Sequence, residues 1–301
     1  LSPGFIQDVC GVVSGTWAAG NVYHVSCDIT ISSGATLTIE PGVIVRFAQG
    51  TSLIADGILN ILGTSSSYVS FGSLSPSPLP GDWGNVVLNG GGNVINYLDY
   101  NYATNGFTGA NTYNTSFDGL NMVGTLSLSA NGIDFTSSNN INITNSSISV
   151  GGSYAVNLPS TSNSSVTHST IAGGYSTAAI MMESSSNITI DSNIISGNPY
   201  NGILVYQSIN TSINYNTIDA DWYGISANYN PNIVINNNTI NLHNVSKKSS
   251  ERGIIINNCV AAIVNGNNIT GSQTNTYSRL IDNSNQENYQ TGVTITNNTL
   301  T

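Results

Sequence analysis

Charge is scarce in this sequence. Only 7% of its 301 residues are Asp, Glu, Lys or Arg, against roughly 25% in an ordinary soluble domain. Five are bases and 15 are acids, for a formal net charge of −10. That balance argues against nucleic acid as a partner, since phosphate recognition needs clustered Lys and Arg. No stretch approaches about 20 apolar residues, so nothing is expected to span a membrane. Three His and three Cys are scattered without metal-ligand spacing, so no metal site and no cofactor are expected. Runs of Ala, Glu and Lys are nearly missing, which excludes helical repeats. Solubility must then come from Ser, Thr, Asn and Tyr, from attached sugars, or from burial in an assembly.

What the chain does have is a repeat. The nine-residue pattern N-x-x-[IV]-x-x-[NS]-x-[IL] starts at Asn140, Asn163, Asn187, Asn210 and Asn232, then at Ala261 and Gly292 without the first Asn. Its fourth position reads Ile143, Val166, Ile190, Ile213, Ile235, Val264 and Ile295. Its ninth reads Ile148, Ile171, Ile195, Ile218, Ile240, Ile269 and Leu300, and its seventh is always Asn or Ser. Successive starts lie 22 to 31 residues apart. A period of this size marks a solenoid whose units bury their apolar side only by stacking. The units are rich in Ile, Val, Thr, Ser and Asn, and a second short apolar strand follows each nine-mer (Gly202–Val205, Gly253–Ile256). Short strands separated by Asn, Gly and Ser corners describe rungs of a parallel β-helix. The fourth- and ninth-position residues are expected inside, with the seventh-position amides stacked at an interior corner.

The N-terminal half carries a related pattern. Val22–Phe71 resembles the opening coils of secreted right-handed β-helix surface proteins, and Gly81-Asp82-Trp83-Gly84-Asn85 is similar to a G-D-W-G-G rung of that group. From Asn140 onward the chain resembles the short repeats of pectate-lyase-like and periplasmic copper-maturation β-helix proteins. The resemblance spans roughly residues 15–301. It implies an all-β, right-handed parallel β-helix of roughly 11–12 coils, with residues 1–13 as an arm or cap and 14–301 as one domain. It implies little about function, because this fold hosts lyases, hydrolases, adhesins, phage spikes and inert fibres.

Catalytic constellations are hard to find. Polygalacturonase-type β-helices place an Asn-Thr-Asp, an Asp-Asp, a Gly-His-Gly and an Arg-Ile-Lys around the substrate, and none is present. The closest carboxylate pair is Asp219 and Asp221, beside Trp222 and Tyr223, and it reads more readily as a solvated turn between rungs than as a site. His24, His168 and His243 read as isolated. Lys247, Lys248 and Arg252 crowd an inserted loop, Val245 to Arg252, which reads as a solvated loop or a contact patch. The many Tyr between Tyr97 and Tyr113 are expected on the outer faces. The chain is therefore expected to be non-enzymatic.

Cys10 and Cys27 are expected to pair and staple the first coil, with Cys259 a small buried residue. Ten sequons are candidates for N-glycans: Asn114, Asn142, Asn145, Asn163, Asn187, Asn210, Asn237, Asn244, Asn268 and Asn297. A start at Leu1 suggests removal of a signal peptide and an extracellular or cell-surface location. The repeat runs to Thr301 with no cap after it, while Phe5, Ile6, Val12 and Val13 form an apolar start. These residues, with Ile295 and Leu300, suggest head-to-tail assembly of the chain with itself into a structural filament. The alternative is a polysaccharide-binding or polysaccharide-cleaving β-helix protein, or a monomeric adhesin or surface-layer fragment.

Overall fold

The computed structural model of the protein describes residues 4–123, 130–243, 251–271, 279–283 and 291–301. Regular structure among the described residues is all β-strand, and no helix there is long and apolar enough to cross a membrane. Every pairing between named strands for which a register is given is parallel, as a β-helix requires. The chain divides into two compact units, Leu1–Gly152 and Ser153–Thr301.

In the first unit one sheet takes a strand from each rung: Gly15–Trp17, Thr36–Ile39, Ile58–Leu62, Val94–Asn96, Tyr113–Asp118 and Asn139–Thr144. Alternation along these strands puts Leu37, Ile39, Leu59, Ile61, Ile95 and Phe117 fully inside. The interior also holds a run of aromatic rings. Trp83 stacks on Phe47 at 4.1 Å and lies 4.9 Å from Tyr100. Contacts then run on through Phe107 and Phe117 to Phe135. Tyr100 thus departs from the expected outer-face placement. Its ring fills the tube, and its hydroxyl is satisfied by donating to the Asn105 carbonyl at 2.8 Å. Residues Ile6–Val12 form a strand in register with Val22–Ile31 (Ile6 opposite Val22), and a Cys10–Cys27 disulfide links the two.

The second unit is aliphatic inside. Val166, Ile190, Ile213, Ile235 and Val264 pair rung to rung in one buried column. Ile171, Ile195, Ile218, Ile240 and Ile269 form a second. Ile295 and Leu300 continue the columns and are 40% and 48% exposed. The seventh-position amides stack as expected. Asn193, Asn216, Asn238 and Asn267 each pass a side-chain N–H to the Oδ1 of the next rung's Asn at 2.9–3.0 Å, ending on Asn298. Their backbone N–H groups bond the same oxygens. A second interior ladder was not legible in the repeat: Thr161, Ser185, Ser208 and Asn230 stack at another corner.

The first repeat position has a backbone reason to be Asn. Asn163, Asn187, Asn210 and Asn232 have φ of 50–59°, a left-handed conformation that Asn tolerates better than most residues. Their exposed side chains also bond one another at 3.0–3.1 Å.

Candidate functional site

The second unit gathers chemistry at one corner, and the rung period assembles it. The strand Thr217–Ala220 pairs with Thr239–Leu242, setting Asp219 opposite Asn241. The Asn241 side-chain amide donates to Asp219 Oδ1 at 2.8 Å. His243 follows at the end of that strand, its own N–H bonded to the Ala220 carbonyl. This brings His243 Nε2 to 3.6 Å from Asp219 Oδ1. Neither Asp219 nor Tyr223 lies in a loop, contrary to expectation. Asp219 lies in a strand that ends at Ala220 and Tyr223 begins the next, leaving Asp221 and Trp222 in the bend between.

That bend rests on the corner of the previous rung. The Asp221 N–H donates to the Pro199 carbonyl, and the Tyr223 N–H to the Tyr200 carbonyl, both at 3.0 Å. Tyr200 therefore lies beside Trp222, with ring centroids 4.6 Å apart and planes at 30°, and meets Tyr223 edge-on at 5.6 Å. One Asp221 oxygen, Oδ1, is buried with no hydrogen-bond partner. Burial pushes the Asp221 carboxyl above the usual range, while the electrostatic pull of His243 works the other way. Burial also pushes the Tyr200 hydroxyl up, reinforced by the charge and hydrogen bond of Tyr223. Close by, the Trp222 carbonyl accepts from the Arg252 N–H, and the Arg252 guanidinium pairs with Asp282 at 2.6 Å.

The arrangement offers flat aromatic faces, a carboxyl that keeps its proton to higher pH than an ordinary aspartate, and an Asp–His pair. Such a corner can pack against an apolar ring face and exchange protons with the atoms above it. Among the described residues no group of three or more His, Cys, Asp or Glu is placed to hold a metal ion.

Sequence reading found Asp219, Asp221, Trp222 and Tyr223 but missed Tyr200, Asn241 and His243, which come from other rungs. The available signal was the period: 22 residues separate Pro199 from Asp221 and Asp219 from Asn241. Neither His243 nor His24 is isolated, since His24 Nδ1 lies 3.6 Å from Asp8. His168 does sit at an exposed corner. The loop residues Lys247 and Lys248, and the sequon Asn244, lie outside the described residues. Asn114, Asn163, Asn187 and Asn210 near strand starts, and Asn145, Asn237 and Asn297 in bends, are exposed with positive φ, while Asn142 and Asn268 lie in strands without it. Phe5, Ile6 and Val12 are exposed and Val13 is half-buried. Cys259 is buried and free.

Comparison with known proteins settles the family. The profile of the right-handed β-helix region matches residues 83–240 and 131–300. The chain belongs to that family. No curated protein sequence matches it. Among solved structures it is similar to the periplasmic alginate epimerase AlgG, at 13% identity and a TM-score of 0.63, covering 93% of this chain and 78% of that one. The DFA-IIIase of Arthrobacter chlorophenolicus A6, solved without its lid in complex with GF2, gives 11% identity and a TM-score of 0.63, covering 94% of this chain and 88% of that one. A mutant tailspike protein of E. coli bacteriophage HK620, in complex with a hexasaccharide, gives 11% identity and a TM-score of 0.54. That match covers 96% of this chain and 60% of the tailspike. These likenesses concern the fold. They also correct the expectation of a non-enzymatic chain: solved structures similar to it include an epimerase and a DFA-IIIase. Missing motifs of one hydrolase type were no ground for excluding catalysis, because a β-helix assembles its side chains across rungs rather than along the sequence.

Proposed function

We propose that the chain is a polysaccharide-binding β-helix protein that cleaves its bound chain at the Asp219–His243 corner. One observation carries the reading: the tilted Tyr200–Trp222 pair stands beside a carboxyl whose Oδ1 is buried and unpartnered. Aromatic rings there receive the apolar face of a sugar. Asp221 gives its proton to the glycosidic oxygen as the bond to the anomeric carbon breaks. The Asp219–His243 pair takes a proton from the water that attacks that carbon, so the net change is addition of one water. The saccharide-linked names of similar structures support this reading. They also support a place outside the cytoplasm, where the sequons are open to glycans. No observation supports the filament, and the saccharide reading replaces it.

The test is a glycan array followed by product analysis on each polymer that binds. Trp222→Ala is expected to weaken binding at least about tenfold, and Asp221→Asn to abolish cleavage while binding persists. The absence of any bound glycan, or cleavage that survives Asp219→Asn with Asp221→Asn, overturns the proposal.

A further inference from the structure

The first unit contains eight carboxylates and a single Lys or Arg, Arg46. With acids in such excess, the lone guanidinium would be expected to find one. It does not. Asp8 faces His24 instead. The other seven each accept a hydrogen bond from a backbone N–H, an amide or a hydroxyl elsewhere in the unit. No described carboxylate of the unit lies within ion-pair distance of Arg46, whose guanidinium donates to the Ser70 hydroxyl at a long 3.4 Å.

Its setting is specific. Arg46 lies on the outer face of the strand Ile44–Phe47, in register between His24 and Gly72. The guanidinium folds across Gly72, so close that a Cβ there would come within 2.7 Å of Nη1. Beside it stands Tyr102, held in the left-handed region at φ 68°, a conformation unfavourable for a non-glycine residue. Burial lowers the pKa of the guanidinium from its ordinary value, and Tyr102 opposes that change. A half-buried cation without a counter-charge is an unfavourable arrangement unless something else supplies one.

We propose that Arg46, Ser70 and Tyr102 form a receptor for one carboxylate carried by a sugar residue of an otherwise uncharged glycan. The planar fork of a guanidinium matches a carboxylate through two parallel N–H···O bonds. The missing side chain at Gly72 lets the guanidinium lie close against that backbone, and the Tyr102 ring flanks it. A densely charged polymer is a poor fit. Its next carboxylates would fall among Asp8, beyond His24, and Asp99, which pairs with Ser70 on the neighbouring rung. At physiological salt charges are felt over about 8 Å, so one carboxylate gains from Arg46 while its neighbours are repelled. The carrier's being a glycan rests on the proposed function; recognition of the carboxylate does not.

The chain has three Arg residues, so its Arg Nε–H signals can be followed by NMR and the Arg46 signal assigned with Arg46→Gln. The probes are methyl glucuronide, methyl glucoside and acetate, at constant ionic strength. Methyl glucuronide is expected to shift the Arg46 signal and to bind about tenfold more tightly than methyl glucoside, the effect of one charge-assisted pair. The preference is expected to vanish in Arg46→Gln, to fall in Arg46→Lys, and to persist in Trp222→Ala. Equal affinity for the two glycosides, or a preference that survives Arg46→Gln, overturns the receptor. Acetate binding as tightly as methyl glucuronide overturns the sugar carrier. Glucuronide binding through Arg46 with no effect of Trp222→Ala on any glycan leaves the receptor standing and removes the proposed cleavage site.

Discussion

Asp221 has an environment unlike the one its sequence neighbours suggest. In the string Asp219-Ala220-Asp221-Trp222-Tyr223 it reads as a solvated turn, yet one of its oxygens is buried. The raised pKa has a consequence for stability. The folded chain holds the Asp221 proton to higher pH than the unfolded chain, whose ordinary value is 3.8. Stability is therefore lost as pH rises through the folded-state pKa and regained as pH falls back through it. Asp221→Asn, neutral at every pH, is expected to melt at a higher temperature than the parent at pH 7. The gain should shrink as the pH is lowered below the folded-state pKa toward 3.8. Thermal scans of both proteins across that range check this, and a lower melting point for the variant at pH 7 contradicts it. Tyr200 and His243 were invisible at this scale, because nothing in their flanking residues marks them. Only the stacking of rungs brings them to Asp219 and Asp221.

Within each rung, the corners were the most legible element. The seventh-position Asn could be assigned to the interior because it keeps step with buried Ile at the fourth and ninth positions. The corresponding ladder of Thr161, Ser185, Ser208 and Asn230 escaped notice, since mixed residue types hide a shared role. Asn216 gives the sharpest test of the ladder. It accepts from the backbone and side chain of Asn193, and its own amide donates to Asn238 and to the Ile190 carbonyl. Asn216→Ala removes these partners inside a buried corner and leaves the Asn193 N–H unsatisfied, at about 1–3 kcal/mol for each orphaned group. A loss of roughly 2–4 kcal/mol is expected. Urea unfolding of the variant measures it, and a loss below about 1 kcal/mol would mean that water enters the corner.

Taken as a molecule, the chain uses two different interiors for one architecture. The fold was legible across both because alternation and period survive the change from mixed aliphatic and aromatic filling to aliphatic filling. The site was only half legible, because a solenoid puts residues some 22 positions apart side by side, as with Asp219 and Asn241. The first unit also carries the disulfide, which closes a separation of 17 residues. Constraining a loop of that size in the unfolded chain stabilises by about 3 kcal/mol. Reduction is therefore expected to lower the melting temperature of the protein. Calorimetry with and without reductant decides the matter, and an unchanged transition counts against the staple.

The three tryptophans have a use that their packing did not set out to serve. Trp17 and Trp83 are enclosed among other rings, and Trp222 stands half-exposed beside Tyr200. Their emission should therefore separate into a blue, quencher-resistant component and a redder one open to iodide. A ligand laid over Trp222 changes the second colour alone, so the protein carries its own optical reporter for the corner where a sugar would sit.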